Sequence, residues 1–205
     1  NEIGPTLRIY SWKNNCISLG FSQKIDEEVD NNKCAALGLE VVKRPTGGGM
    51  VFHNRSEITY SLVMLKDDPL LPKGLVPSYK KLSESLVYAL NSLGIPAEIS
   101  QQKKNIPLKE ASLCFNYPAE YEVVAFGKKI VGSAQKRGKR ALLQQGSIFV
   151  MRTSDTAFSA LNARHGDINA VSVEEILGRI PTFEEMAGAL IKGFEKVLGT
   201  SFNEI

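Results

Sequence analysis

Hydrophobic and polar residues alternate with a period of two in several short stretches of the chain. This alternation is typical of strands that turn one face towards a core and the other away from it. Turn residues such as asparagine and glycine separate many of the stretches. The pattern predicts strands at residues 6–12, 15–21, 39–44, 57–64, 96–100, 121–126, 130–134 and 142–150.

Other stretches repeat their apolar residues at the helical spacing of three to four. The last of them begins with Thr182 and has Glu185 three residues later, which is the pattern of a capping box. Gly38 and Gly94 follow two of the stretches as helix stops. Helices are therefore predicted at residues 25–37, 78–94, 172–178 and 182–198. Together the patterns predict an α/β fold with a mixed, largely antiparallel sheet flanked by helices.

Length and composition indicate one ordinary globular domain. The 205 residues are 43% hydrophobic and 23% charged, which suffices for a substantial core. No apolar run reaches the roughly 20 residues that span a membrane, and no signal peptide is visible, so we expect no membrane partner. A net charge of +3 is too small by itself to indicate nucleic acid.

The number and spacing of the three cysteines and two histidines argue against a disulfide-stabilised scaffold and against a metal site. Cys16, Cys34 and Cys114 form no CxxC pair, and His53 lies far from His165 in sequence. We therefore expect neither a disulfide scaffold nor a metal site, and a reducing cytoplasm is the natural compartment.

The most informative stretch is KRPTGGGMVFH, residues 43–53. Glycine lacks a Cβ and tolerates unusual backbone angles, so Gly47, Gly48 and Gly49 allow a ligand to lie against the main chain. Arg44 and His53 bracket the glycines with a fixed cation and a titratable ring. A substrate site at a bend between strands is one interpretation, and a plain glycine-rich turn is the other.

This stretch resembles the signature of the lipoate–protein ligase and octanoyltransferase superfamily, which shares its catalytic fold with biotin–protein ligases. Four further blocks match in order and spacing: EITYSLV at residues 57–63, GKKIVGSAQKR at 127–137, LQQGSIFV at 143–150, and, more loosely, the helical tail. The resemblance implies one catalytic domain over residues 1–205. It also leads us to expect a family strand and helix upstream of residue 6, and no accessory domain after Ile205.

The resemblance implies the chemistry of two residues. Family members keep a lysine at the position of Lys129, as a base or as a cation that orients the acyl group. In one octanoyltransferase branch a Cys-Phe step supplies the nucleophile, and Cys114-Phe115 matches that step. Sequence context alone leaves Cys114 open as a thiolate nucleophile or as a small packed residue.

The implied reaction is the transfer of an octanoyl group from octanoyl-acyl carrier protein to Cys114. A lysine of a lipoyl domain, or of glycine cleavage H protein, then takes the acyl group as an amide. No cofactor is expected, because a thioester is already activated. The alternatives are an ATP- and magnesium-dependent lipoate–protein ligase and a non-enzymatic binding module of the same fold.

The resemblance also implies a substrate site. Arg44 and the glycines would line an acyl pocket, and His53 would orient acyl or carrier groups unless it is purely structural. Gln145 stands where many members have a histidine, which removes any role of that ring. The remaining predicted substrate-binding residues are Gly132, Ser133, Gly146 and Ser147.

Residues 128–140 carry six basic residues and no acid. They are interpreted either as a solvated loop or as a docking surface for an acidic carrier protein. Nucleic acid is disfavoured, because aromatic residues do not interleave the charges.

Overall fold

The computed structural model describes residues 4–101, 121–152, 155–162 and 169–203. Its strands are β1 (Thr6–Ser11), β2 (Cys16–Leu19), β3 (Glu40–Lys43), β4 (Val51–His53), β5 (Ile58–Leu65), β6 (Ala97–Ile99), β7 (Val123–Ala125), β8 (Lys128–Arg137) and β9 (Ala141–Ile148). Its helices are α1 (Ile25–Glu28), α2 (Asn31–Ala36), α3 (Leu75–Ser92), α4 (Asp155–Phe158), α5 (Val173–Leu177) and α6 (Phe183–Leu198).

The strands form two sheets. The larger sheet has six strands in the order β1-β5-β9-β8-β7-β6, and every neighbouring pair in it is antiparallel. The smaller sheet has the order β3-β2-β4, with β2 parallel to β3 and antiparallel to β4. The predicted mixed, largely antiparallel α/β class is confirmed.

The main core lies between the larger sheet and the helices α3 and α6. On β5, the alternate residues Ile58, Tyr60, Leu62 and Met64 are all buried in this core. Because side chains alternate across a strand, the intervening Thr59 faces the opposite side of the sheet. There Thr59 contacts Trp12 and Ser147 instead of the helices.

The predicted strands and the two long helices are confirmed, with boundaries shifted by a few residues. The capping box is also confirmed: Thr182 accepts a hydrogen bond from the Glu185 backbone, and the Glu185 side chain accepts one from the Thr182 backbone. None of the described helices combines the length and apolarity that a membrane crossing requires.

Two predictions about local structure are wrong. A single helix over residues 25–37 is interrupted, because Val29 leaves the helix to bridge Leu161 and Asp30 caps the second helix, α2. Residues 128–140 do not form a loop: most of them belong to β8, whose backbone pairs with β7 and β9. The sequence pattern also missed the short helix α4.

Candidate active site

A cavity of about 210 Å³ lies where the two sheets meet. Strands of both sheets contribute walls to it: β1, β5, β8 and β9 of the larger sheet, and β2, β3 and β4 of the smaller one. Its lining residues are Tyr10, Trp12, Ser18, Val42, Lys43, Arg44, Pro45, Val51, His53, Thr59, Gly132, Ser133, Ala134, Gln145, Gly146 and Ser147.

His53 is the centre of a buried hydrogen-bond network on one wall of this cavity. Its Nε2 atom lies 2.7 Å from the Ser18 hydroxyl, and its Nδ1 atom lies 3.2 Å from a carboxylate oxygen of Glu57. The Trp12 ring stacks on the imidazole, with ring centroids 4.0 Å apart and planes 15° from parallel. The ring is thus held in one orientation by a hydroxyl, a carboxylate and an aromatic face.

Further hydroxyl groups tie this network to the larger sheet. Ser147 donates to the same Glu57 oxygen that faces His53. Thr59 lies 3.2 Å from the Ser147 hydroxyl and accepts a hydrogen bond from the Trp12 indole at 2.8 Å. Glu57 is 1% exposed, and its second carboxylate oxygen has no hydrogen-bond partner among the described residues. The network therefore keeps a carboxylate in a site from which water is nearly excluded.

Arg44 connects the network to the glycine run. One guanidinium nitrogen donates to the backbone carbonyl of Ser18 at 2.8 Å and to its hydroxyl at 3.2 Å. The other donates to the carbonyls of Gly47 and Gly49. The arginine lines the cavity and at the same time sets the path of the glycine run beside it.

Lys129 is almost completely buried at the start of β8. Its ammonium lies 2.6 Å from a carboxylate oxygen of Glu122, and the two side chains are 1% and 8% exposed. Its backbone is held by hydrogen bonds with Asn169 and Val171. Lys129 is thus one partner of a buried salt bridge, and its role as a base or as an orienting cation stays a prediction.

Two of the three cysteines, Cys16 and Cys34, lie among the described residues, and both have buried thiols. Burial is the main reason that the pKa of Cys16 is raised to about 12, and the nearby charges of Glu40 and Glu57 add to the effect. Burial, followed by Asp30, also raises the pKa of Cys34. Both therefore stay protonated at neutral pH, and protonated thiols are poor nucleophiles. Cys114 lies outside the described residues.

The structure brings together a majority of the predicted substrate-binding residues. Arg44, His53, Gly132, Ser133, Gly146 and Ser147 all line the cavity. Gly47, Gly48 and Gly49 are not among its lining residues, and neither is Lys129. Contact of these four residues with substrate stays a prediction.

Sequence reasoning missed Ser18, Glu57 and Glu122 as functional candidates. The sequence gives only a weak indication of function for each, namely that it is a polar residue inside or beside an apolar strand pattern. Only the folded chain shows that Ser18 and Glu57 meet on opposite sides of one imidazole.

Residues 1–195 match the family of lipoyl protein ligase A/B catalytic domains. The chain belongs to this family. The match covers both sheets and the cavity between them, so the glycine run, Arg44 and His53 lie within the family's catalytic domain.

Sequence relatives of this family member include several octanoyltransferases. The octanoyltransferase LipM of Kyrpidia tusciae is 36% identical over 97% of this chain and 77% of its own length. The octanoyltransferase LipM of Carboxydothermus hydrogenoformans is 40% identical over 93% of this chain and 67% of its own length.

Solved structures of the same fold include lipoate–protein ligases. Lipoate-protein ligase A bound with ATP superimposes with a TM-score of 0.80 and 25% identity, covering 98% of this chain and 75% of the other. A lipoate protein ligase of T. acidophilum with bound lipoic acid gives a TM-score of 0.78 and 27% identity, over 98% of this chain and 76% of the other. This chain thus shares the catalytic-domain fold of lipoate–protein ligases, whereas the sequence relatives named above are octanoyltransferases.

Proposed function

We propose that this protein is an octanoyltransferase of lipoate biosynthesis. It takes the octanoyl group of octanoyl-acyl carrier protein and transfers it to a lysine of a lipoyl domain or of glycine cleavage H protein. The observation that carries the proposal is the 36% and 40% identity to octanoyltransferases over nearly the whole chain, compared with 25% and 27% to the ligases.

The cavity supports an acyl substrate. Tyr10, Trp12, Val42 and Val51 provide apolar surface on its walls, and a buried alkyl chain is stabilised by about 0.8 kcal/mol per methylene. The polar groups on the remaining walls include Arg44, which suits the carbonyl end of a thioester. An apolar pocket with a few convergent polar groups is the usual form of a small-molecule site.

The nucleophile in this proposal is Cys114. Its Cys-Phe step matches the octanoyltransferase pattern, and the raised pKa values of Cys16 and Cys34 disfavour either of them in its place. Glu122 follows Cys114 closely in sequence and forms a salt bridge with Lys129. The salt bridge therefore links Lys129 to a residue that lies soon after the proposed nucleophile in the chain. Since the donor thioester is already activated, the reaction needs neither ATP nor a metal.

The donor's carrier protein would meet a basic rim beside the cavity, made of Phe21, Lys43 and Lys136. The Phe21 ring is 63% exposed, and the ammonium groups of Lys136 and Lys43 lie 5.1 and 6.0 Å from its centroid. Lys43 also lines the cavity, so the rim lies at its mouth. Two cations around an exposed aromatic ring suit an acidic carrier surface.

The test is intact-mass spectrometry after incubation with octanoyl-acyl carrier protein, without ATP. We expect one octanoyl group on Cys114 that hydroxylamine releases, and transfer of that group to a lipoyl domain. Cys114→Ala should abolish the adduct and the transfer. Cys34→Ala, which removes a buried thiol of α2 that does not line the cavity, should retain both.

One result would contradict this proposal and support the ligase alternative instead. If wild type forms no adduct, while Cys114→Ala still modifies a lipoyl domain when given lipoate, ATP and magnesium, the protein is a ligase.

A further inference from the structure

Paired residues of the larger sheet form rows that run across its strands, because side chains at paired positions share one face of the sheet. On the face opposite the helices, the row that lines the cavity crosses β1, β5, β9 and β8 as Tyr10, Thr59, Ser147 and Gly132. The next row along the strands consists of Arg8, Ser61, Gln145 and Ala134. Only the last two of these residues line the cavity, so its edge lies at this second row.

The same face extends beyond the cavity by two more rows, each roughly 7 Å further along the strands. One row consists of Thr6, Val63, Leu143 and Lys136, and the other pairs Leu65 with Ala141. Val63 and Leu65 are 45% and 47% exposed, so the described residues leave this part of the face open to solvent. We call the surface formed by Arg8, Val63, Leu65, Lys136, Ala141 and Leu143 the open face.

The open face has an apolar centre between two cations. Val63 and Leu65 lie on the central strand β5, Arg8 lies on β1 to one side, and Lys136 lies on β8 to the other. Among the residues of the four rows, only Arg8 and Lys136 are charged, and both are exposed. An exposed apolar patch inside a polar rim is the usual form of a protein–protein interaction site.

The charges of the open face distinguish between the two protein substrates. Two cations attract an acidic surface, whereas they repel the ammonium of an acceptor lysine. Lys136 belongs both to the open face and to the basic rim, where its ammonium lies 5.1 Å from the Phe21 ring centroid. The open face and the basic rim therefore form one continuous surface that leads to the cavity.

We propose that the open face is the docking surface for the acyl carrier protein that delivers the octanoyl group. The inference rests on the proposed function, which supplies this donor. Apolar side chains of the carrier protein cover Val63 and Leu65, and its acidic groups meet Arg8 and Lys136. The thioester then reaches the cavity across its edge at Gln145 and Ala134. The proposal adds to the basic rim an apolar centre on a different strand.

The experiment combines Val63→Thr with Leu65→Thr. Threonine suits an exposed strand and removes apolar surface, so the double variant should fold. The KM for octanoyl-acyl carrier protein in acyl-enzyme formation should rise roughly tenfold, which is typical for loss of the apolar centre of an interface. A small octanoyl thioester should acylate the double variant as fast as wild type, because it does not contact the open face.

The matched control is Ile180→Thr. Ile180 is 43% exposed and lies between α5 and α6, outside the strands of the open face. This variant should keep the wild-type KM for the carrier protein. With enzyme that already carries the octanoyl group, the control and the double variant should both transfer it to a lipoyl domain at the wild-type rate. This step separates docking of the donor from docking of the acceptor.

A binding measurement separates docking from chemistry. In the Cys114→Ala protein, which cannot form the proposed thioester, calorimetric titration with octanoyl-acyl carrier protein measures Kd directly. Adding Val63→Thr and Leu65→Thr should raise this Kd roughly tenfold. If wild type forms no acyl-enzyme, the proposed function fails, and the titration still decides whether the carrier protein docks on the open face.

Four results would overturn the docking proposal. The first is an unchanged KM and Kd for the carrier protein in a folded double variant. The second is equal slowing with the small thioester, which would mean a structural effect on the cavity. Slower transfer to the lipoyl domain with an unchanged donor KM would assign the open face to the acceptor. A wild-type dimer that the double variant splits into monomers would assign it to a second copy of the chain.

Discussion

At the scale of single residues, the glycine run depends on a close approach between two backbones. Gly20, which follows β2, lies so near the run that a Cβ on it would meet the carbonyl oxygen of Gly48. Gly48 itself has a φ of +89°, and a Cβ there would lie 3.1 Å from the Arg44 guanidinium. Gly47 has open space around it. The bend therefore depends on Gly20 as well as on the three glycines that mark it in the sequence.

Gly20→Ala should destabilise the protein by about 1–3 kcal/mol, because the methyl group overpacks the contact with Gly48. Gly47→Ala is the matched control and should leave stability unchanged or slightly raised, since its added Cβ meets nothing. Urea denaturation of the two variants measures the difference. Equal midpoints would show that the loop moves freely to accept the methyl group.

Gly48→Val would be a poor test of whether the glycine run lines the acyl pocket. A valine at a positive φ is strained, and it also presses on Arg44, so lost activity would report the loop as much as a blocked acyl channel.

At the scale of elements, the packing of α3 against α6 depends on one glycine of α6. A Cβ on Gly193 would meet the Ser85 carbonyl and lie 3.0 Å from the Ala89 Cβ on α3. Gly188, on the same helix, has nothing within 4 Å of the same position. Gly193 lets the two helices approach, whereas Gly188 has no such function.

Substituting alanine at the two positions should therefore change stability in opposite directions. Gly188→Ala should stabilise by roughly 0.5–1 kcal/mol, because alanine loses less backbone entropy in a helix. Gly193→Ala should destabilise by about 1–3 kcal/mol through overpacking against α3. Thermal unfolding followed by circular dichroism tests both, and a Gly193→Ala protein as stable as Gly188→Ala would contradict the packing argument.

At the scale of the whole molecule, only some of the six basic side chains in residues 128–140 are exposed. Lys129 is buried against Glu122, and the Arg137 guanidinium is bound to Lys66, Gly74 and Ser78. Lys128, Lys136, Lys139 and Arg140 are exposed. The charges of this stretch that a carrier protein could meet are therefore these four, of which Lys136 belongs to the basic rim together with Lys43.

Lys136→Glu combined with Lys139→Glu should raise the KM for octanoyl-acyl carrier protein and weaken the dependence of KM on salt. A small octanoyl thioester should be used as well as before, because it does not contact the surface. The control is Lys192→Glu with Lys196→Glu on α6, which changes the net charge equally on the helical layer. Equal effects of the two pairs would mean that total charge, and not this surface, attracts the carrier.

Much of the secondary structure could be predicted from residues that lie close together in the sequence. Alternation predicts the strands, helical spacing predicts α3 and α6, and the capping box of α6 depends on residues only three positions apart. The break between α1 and α2 escaped these rules, because Val29 leaves the helix to pair with Leu161, a residue distant in sequence. A tertiary contact there overrides a helical pattern.

The sequence by itself determined the family, the largely antiparallel α/β class and six of the residues that line the cavity, since each is marked by a local motif. Only the tertiary structure decided which groups meet. The register of β2 on β4 and of β5 on β9 brings Ser18, Glu57 and Ser147 around His53, and the β7–β8 hairpin brings Glu122 to Lys129. Such pairings depend on strand register and on the packing of one sheet against another, which a one-dimensional pattern of polar and apolar residues does not encode.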